Sequence, residues 1–271
     1  METFSCLNVE VTDHIARIEL NRPDKANALN GVLWREIGEA VAWVDRTPEV
    51  RVAILSGAGN HFSAGIDFEL VQTILAEVGQ LESGRREERL RCVIVELQTT
   101  FNALERCRKP VLAAIHGLCI GGALDLVAAC DMRYASAEAR FALKEVDLGM
   151  VADVGSLQRL PYLIGEGQLR ELAFTGREFD AGEAMQLGLI NQVFDSWEQL
   201  LDGVGEIART IAAKSPLTVR GIKQVMNYNR DHTIASGLDF VATWNAAMLL
   251  SEDTQEAVLA AMQKRTPQFQ D

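Results

Sequence analysis

Lys109–Ser136 reads KPVLAAIHGLCIGGALDLVAACDMRYAS, and the class of fold can be read from this stretch. Val111–His116 is a short run of apolar residues closed by Gly117, as expected of a strand buried on both faces. Gly121-Gly122 ends the turn that follows and opens an apolar helical run from Ala123 to Ala129. Asp131–Ala135 and Arg140–Leu143 then read as further short strands. Strand, glycine turn, helix and strand in this order indicate an α/β fold.

Toward the N-terminus, Lys109-Pro110 stops a long amphipathic pattern through Cys92, Val95, Leu97, Phe101 and Leu104. The polar residues Gly79–Glu88 before it read as an exposed loop or helix start. Val50–Ser56 (VRVAILS) is a second buried-type strand, ended by Gly57-Ala58-Gly59. Asn30 is placed to cap a helix carrying Leu33, Ile37 and Val41 on one face. Val9–Leu20 alternates apolar and polar positions as a half-buried strand does. From Leu157 the chain reads as mostly helical, with Ser156 as the cap. The expected organisation is a core of residues 1–200 followed by a helical region of 201–271.

The 271 residues carry a formal charge of -12 and are 48% apolar. This composition supports a sizeable core, argues against disorder, and does not suit a nucleic-acid partner, whose phosphates call for Lys and Arg. No apolar run approaches the roughly 20 residues of a membrane span. Five cysteines without a CxxC pair suit buried, reduced thiols. The beginning METFSCLNVEV has no cationic start, and the ending TPQFQD is no peroxisomal address. Together these point to a soluble, cytoplasmic protein without a membrane partner.

Three acids carry the chemistry. Asp125 lies within IGGALDLVAAC, where a carboxylate is costly to bury without compensation. A structural or capping role is the alternative. Asp153 lies in GMVADVGSLQRL, again among small and apolar residues, and Glu145 in FALKEVDLG, where a surface strand end explains it as well. If they meet, burial and mutual repulsion separate their pKa values, so that one donates while another accepts. Two glycine-bearing turns after core strands, HFSAGID and Gly117–Gly122, are suited to present backbone N–H groups to a developing oxyanion. His14, His61, His116 and His232 share no metal-ligand spacing, and no GxSxG, P-loop or GxGxxG motif occurs.

Taken in order, NRPDKANALN, HFSAGID, KPVLAAIHGLCIGGALDLVAACDMRYAS, FALKEVDLGMVADVGSLQRLPYLIG, the segment Ala184–Phe194 and the ending KRTPQF resemble the enoyl-CoA hydratase/isomerase family, the crotonases. The resemblance implies a spiral of ββα turns with a C-terminal helical region that packs in trimers or hexamers. It implies an acyl-CoA thioester substrate, with no cofactor beyond the coenzyme A of the substrate itself. It also implies an oxyanion hole from the N–H groups of Ala64 and Gly122, with coenzyme A lying along Lys25, Ser63, Gly65, Ile66 and Asp67. Hydratases of the family carry Glu where Asp125 stands and a small residue where Asp153 stands. Asp, Glu and Asp at 125, 145 and 153 are similar to the Δ3,5-Δ2,4-dienoyl-CoA isomerase subgroup, which works in fatty acid β-oxidation. For the transfer of a proton from C2 to C6 this implies Glu145 at C2 and Asp153 at C6, or the reverse order, with Asp125 orienting or electrostatically tuning the pair. A 2-enoyl-CoA hydratase and a non-catalytic scaffold of the same fold are the alternatives. Asp153 argues against the first, and the retained acids and glycines argue against the second.

Overall fold

The structure is a computed structural model and describes residues 3–271. In chain order its elements are β1 (Leu7–Thr12), β2 (Ile15–Leu20), α1 (Gly31–Arg46), β3 (Val52–Gly57), α2 (Phe68–Gly79), α3 (Ser83–Arg106), β4 (Val111–Ile115), β5 (Leu118–Ile120) and α4 (Gly122–Ala128). There follow β6 (Met132–Ser136), β7 (Arg140–Ala142), α5 (Ser156–Arg159), α6 (Glu166–Thr175), β8 (Phe179–Asp180), α7 (Ala181–Leu187), β9 (Gln192–Phe194), α8 (Trp197–Ala212), α9 (Pro216–Arg230), α10 (Ile234–Met248) and α11 (Glu252–Gln263).

The larger sheet has the order β1-β2-β3-β4-β6-β9, and the smaller one β5-β7-β8. Only the β1–β2 pair of the larger sheet is antiparallel. After β3, successive turns of the chain place one strand in each sheet: β4 then β5, and β6 then β7. This is the spiral that the sequence implied. The single strand expected over Val9–Leu20 is instead a hairpin. Asp13 and His14 take left-handed backbone conformations (φ 52° and 66°) and reverse the chain, so the alternation runs through two strands.

The buried-type strands are covered on both faces, as their unbroken apolar runs require. One face of β2–β4, including Ile18, Leu20, Leu55 and Ala113, packs with Leu33, Ile37 and Val41 of α1. Asn30 caps that helix, accepting from the Leu33 N–H at 2.8 Å. The other face, with Ile15, Val52, Ile54, Leu112 and Ala114, packs on Leu200, Val204, Ala208 and Ala212, the apolar stripe of α8. The boundary expected at 200/201 therefore falls inside a helix that covers the sheet. The α9 helix is tied to the core by buried Lys223, which donates to Asp131 at 2.7 Å. α10 packs on α9, with Phe240 stacked on Tyr228, and α11 is tied to the start of α9 by Asp253, which accepts from the Ser215 hydroxyl at 2.5 Å. Among the described residues, no helix is long and apolar enough to cross a membrane.

The geometry that prepares a site lies where two chain segments cross. The segment leaving β3 bridges β5 at Ser63–Cys119, through Ser63 N–H to Leu118 O (2.8 Å) and Ile120 N–H to Ser63 O (3.2 Å). Gly65 sits at φ +88°, and a Cβ there would stand 2.4 Å from Ile120 O. A Gly65→Ala substitution therefore adds both backbone strain and a backbone clash. It should lower stability by at least about 2 kcal/mol, read as a fall of several degrees in thermal unfolding midpoint. An unchanged midpoint would show that the two segments can separate freely.

Candidate active site

Gly65 also decides which backbone donors are free. Its left-handed conformation breaks the alternation of a strand, so Ala64 N–H and Asp67 N–H face the same neighbouring segment. Ala64 N–H donates to Ala26 O at 2.9 Å, and Asp67 N–H to Leu29 O at 3.1 Å. Gly65 O accepts from Leu29 N–H at 2.8 Å. The Ile66 N–H between them faces the other way and, among the described residues, has no protein acceptor. The expectation that Ala64 supplies an oxyanion donor is thus corrected: its N–H is spent within the fold. Gly122 opens α4, where its N–H has no acceptor within the helix. Ile66 N lies 3.7 Å from the position of a Cβ on Gly122, so these two N–H groups are neighbours.

Two cavities meet at this point. A groove of about 460 Å³ is lined by Lys25, Ala64, Gly65, Ile66, Asp67, Phe68, Gly121, Gly122, Lys144 and Glu145, among others, and carries several charged side chains. An apolar chamber of about 420 Å³ is walled by Trp34, Val71, Ile74, Leu90, Val93, Ile94 and Leu97, with Asp153 among its lining residues. Ile66, Gly122, Glu145 and Met150 line both. Trp34 is anchored by stacking on Phe101 (centroids 4.7 Å apart) and by its Nε1–H to Leu97 O at 3.0 Å. Of the residues expected along coenzyme A, Lys25, Gly65, Ile66 and Asp67 line the groove. Ser63 does not: it is fully buried, its hydroxyl donating to Asn27 O (2.8 Å) and accepting from Gly65 N–H (3.1 Å). Asp67 caps α2 and pairs with Arg22 at 2.9 Å.

The three acids differ in place. Glu145 begins a 3-10 turn after β7 and reaches the junction of the cavities, with Oε1 3.1 Å from where a Cβ on Gly121 would stand. Asp153 lines the apolar chamber but not the groove, and also borders a pocket on the other side formed with Gln98 and Arg159. Asp125 lines neither cavity and is wholly buried in the first turn of α4. Its Oδ1 accepts from Ser156 N–H at 2.5 Å, while its Oδ2, the Glu145 Oε2 and the Ser156 hydroxyl are buried without partners. Ser156 was expected to cap the helix that follows; it is instead the first residue of α5, and Gly155 precedes it as the cap.

Burial, and after it the charge of Glu145, pushes Asp125 up to about 7, against the Ser156 bond, which lowers it. Burial likewise raises Glu145, and the neighbouring Asp153 adds to the rise. Asp153 is more exposed at its surface, but burial of its carboxyl at the chamber wall raises it too. Carboxyls held above their usual range, beside unpaired backbone donors, suit transfer of a proton next to a carbonyl group.

Comparison with known proteins places this geometry in a lineage. Residues 10–271 match the Enoyl-CoA hydratase/isomerase family. The chain is 46% identical over 273 residues to the peroxisomal Delta(3,5)-Delta(2,4)-dienoyl-CoA isomerase of Arabidopsis thaliana, covering 99% of this chain and 98% of that one. It is 45% identical over 254 residues to the mitochondrial enzyme of that name from Homo sapiens, covering 93% of this chain and 77% of the relative. The crystal structure of an enoyl-CoA hydratase from Bacillus anthracis superposes with a TM-score of 0.89 at 32% identity, covering 98% of this chain and 99% of that one. The compartments in the two relatives' names, peroxisomal and mitochondrial, overturn the cytoplasmic expectation, which rested on the cysteines, the lack of a membrane-length apolar run and the two ends of the chain. With its sequence, fold and site in agreement, the chain belongs to the enoyl-CoA hydratase/isomerase family.

Proposed function

We propose that the protein isomerises a 3,5-dienoyl-CoA to the 2,4-dienoyl-CoA. The observation that carries this reading is the meeting of the two cavities at Ile66, Gly122 and Glu145, with a second acid, Asp153, farther along the apolar one. The names of the two isomerase relatives support it. The groove, with Lys25 and Lys144 for phosphate, takes the coenzyme A. The chamber takes the acyl chain.

The thioester oxygen accepts from the N–H groups of Ile66 and Gly122. Glu145, as carboxylate, removes a proton from C2, and the electron pair spreads along the diene as an extended enolate with its charge on that oxygen. Each backbone donor aimed at such an oxyanion contributes on the order of 3 kcal/mol. Asp153, as acid, then protonates C6, which leaves the double bonds at C2 and C4 in conjugation with the carbonyl. Asp125 does not touch the substrate. It ties α4, which carries Gly122, to the segment carrying Asp153. With its pKa raised to about 7 it carries less negative charge near the enolate than an ordinary carboxylate would, the more so below pH 7.

Hydration of a 2-enoyl-CoA is the competing reaction. It requires a second carboxylate to hold water beside Glu145, and Asp125 is walled off from both cavities. We also propose that the protein assembles as a trimer or hexamer, the state implied by its resemblance to the family, and that α10 and α11 supply the surface. Ile234, Leu238 and Leu250 are 84%, 63% and 85% exposed, and Met262 is 78% exposed. Such an apolar surface is rarely left bare in solution.

With 3,5-octadienoyl-CoA, the absorbance of a conjugated dienoyl thioester should rise, with little loss of 2-enoyl-CoA in a parallel assay. Rapid hydration without dienoyl conversion would reverse the reading. Glu145→Gln and Asp153→Asn should each reduce turnover roughly 10²–10⁴-fold; turnover within tenfold of the parent would remove the role assigned. Asp125→Asn tests the buried acid through stability. Raised from 3.8 to about 7, Asp125 supplies stability in full below the unfolded value, and loses it as pH rises through 7. The melting-temperature gain of Asp125→Asn over the parent should therefore widen from pH 4 to 7.5, equivalent to a few kcal/mol at most. A constant difference would mean that Asp125 is not held neutral. Sedimentation should return the mass of a trimer or hexamer of the 29.8 kDa chain, and a monomer would leave the α10–α11 surface unexplained.

A further inference from the structure

The mechanism asks Asp153 to reach one carbon of a bound chain, yet among the described residues no other side chain donates a hydrogen bond to its carboxyl, whose partner is its own backbone N–H. Its aim is therefore set by its backbone. That backbone is fixed from three sides. Ser156 N–H donates to Asp125 at 2.5 Å. The Arg159 guanidinium donates to Val154 O at 3.4 Å, and is itself held by Asn102 (2.6 Å) and Glu105 (2.9 Å) of α3. It also closes on Gly155, where an added Cβ would stand 1.8 Å from Nη1. At Asp153 itself the contact is the Gln98 side chain, whose Nε2 donates to the Asp153 carbonyl at 2.6 Å. Gln98 belongs to α3, the helix whose Val93, Ile94 and Leu97 wall the chamber.

We propose that Gln98 is a positioning residue for the second proton transfer: its amide holds the Asp153 backbone so that the carboxyl meets C6. The inference rests on the reading that Asp153 delivers that proton. Gln98 is half-buried and its bond lies at the protein surface, where water can replace a lost partner of the Asp153 carbonyl. Its loss should thus cost little stability. It should cost rate, because a misplacement of about 1 Å at a reacting group can cost on the order of 10²-fold. The first proton transfer should not suffer, since Glu145 and the Ile66 and Gly122 N–H groups are held by other elements.

The test compares the parent, Gln98→Ala, Gln98→Glu and Asp153→Asn with 3,5-octadienoyl-CoA in D₂O. Gln98→Glu keeps the length of the side chain but removes the donor. The rate of 2,4-dienoyl formation is read by absorbance, and deuterium uptake at C2 of recovered substrate by mass spectrometry. In both Gln98 variants, isomerisation should fall roughly 10–100-fold, with KM within twofold and an unchanged thermal midpoint, while C2 exchange stays at or above the parent rate. Isomerisation within twofold of the parent in Gln98→Ala, with Asp153→Asn disabled, would overturn the inference and leave the Asp153 assignment standing. Exchange and isomerisation falling together would also overturn it, since that is the mark of general structural damage. An active Asp153→Asn would instead remove the assignment on which the inference depends, and the inference with it.

Discussion

The site depends on one close approach of backbone to backbone, the crossing of the segment after β3 with β5. Ser63 exchanges hydrogen bonds with Leu118 and Ile120, and Gly65 lies against Ile120 O where no side chain fits. This contact brings Ile66 N–H beside the start of α4 and thereby makes a pair of donors from residues far apart in the chain. Gly121, at φ +53°, performs the same service on the other side: its N–H is bound to Ala142 O at 2.8 Å, which ties the start of α4 to β7 and so to Glu145. Packing of the two sheets thus determines the electrostatics. The donors are preorganised because they belong to rigid elements, and little reorganisation is needed when charge develops near them.

Fold class was readable from the chain because the strands of the larger sheet are buried on both faces and therefore carry unbroken apolar runs. The hairpin at β1–β2 was not, because Asp13 and His14 adopt left-handed conformations that no glycine announces. The site was readable in part. Glu145 and Asp153 both line the apolar chamber, although Asp153 had the apolar neighbours that marked it and Glu145, between polar neighbours, gave only a weak signal; Gly122 opens α4 with its N–H free of the helix. Ala64 failed as a donor for a conformational reason. Two residues apart in an ordinary strand, Ala64 and Ile66 would point the same way; the left-handed Gly65 between them turns one N–H inward to Ala26 and the other outward. The glycine was the available signal, but its direction of effect is a three-dimensional fact. Gln98 carried no signal, since a polar residue on an amphipathic helix reads as solvated surface until its partner is known.

The same geometry separates isomerisation from hydration on physical grounds. A water molecule attacking an enoyl thioester must be held by two polar groups at once, and the cavities offer Glu145 at the point where they meet. The second carboxyl that sequence places nearby, Asp125, has turned its Oδ1 to Ser156 and is wholly buried. Its short side chain keeps it behind the first turn of α4. Asp153 lies instead along an apolar chamber whose walls offer water few partners. On the proposed reading, the acid that a hydratase would use for water serves here as a structural tie, and the acid across the chamber marks the far end of a conjugated chain. Which carbon receives the proton is then set by the span from the Ile66–Gly122 donors to Asp153, a distance held by the fold rather than by the substrate.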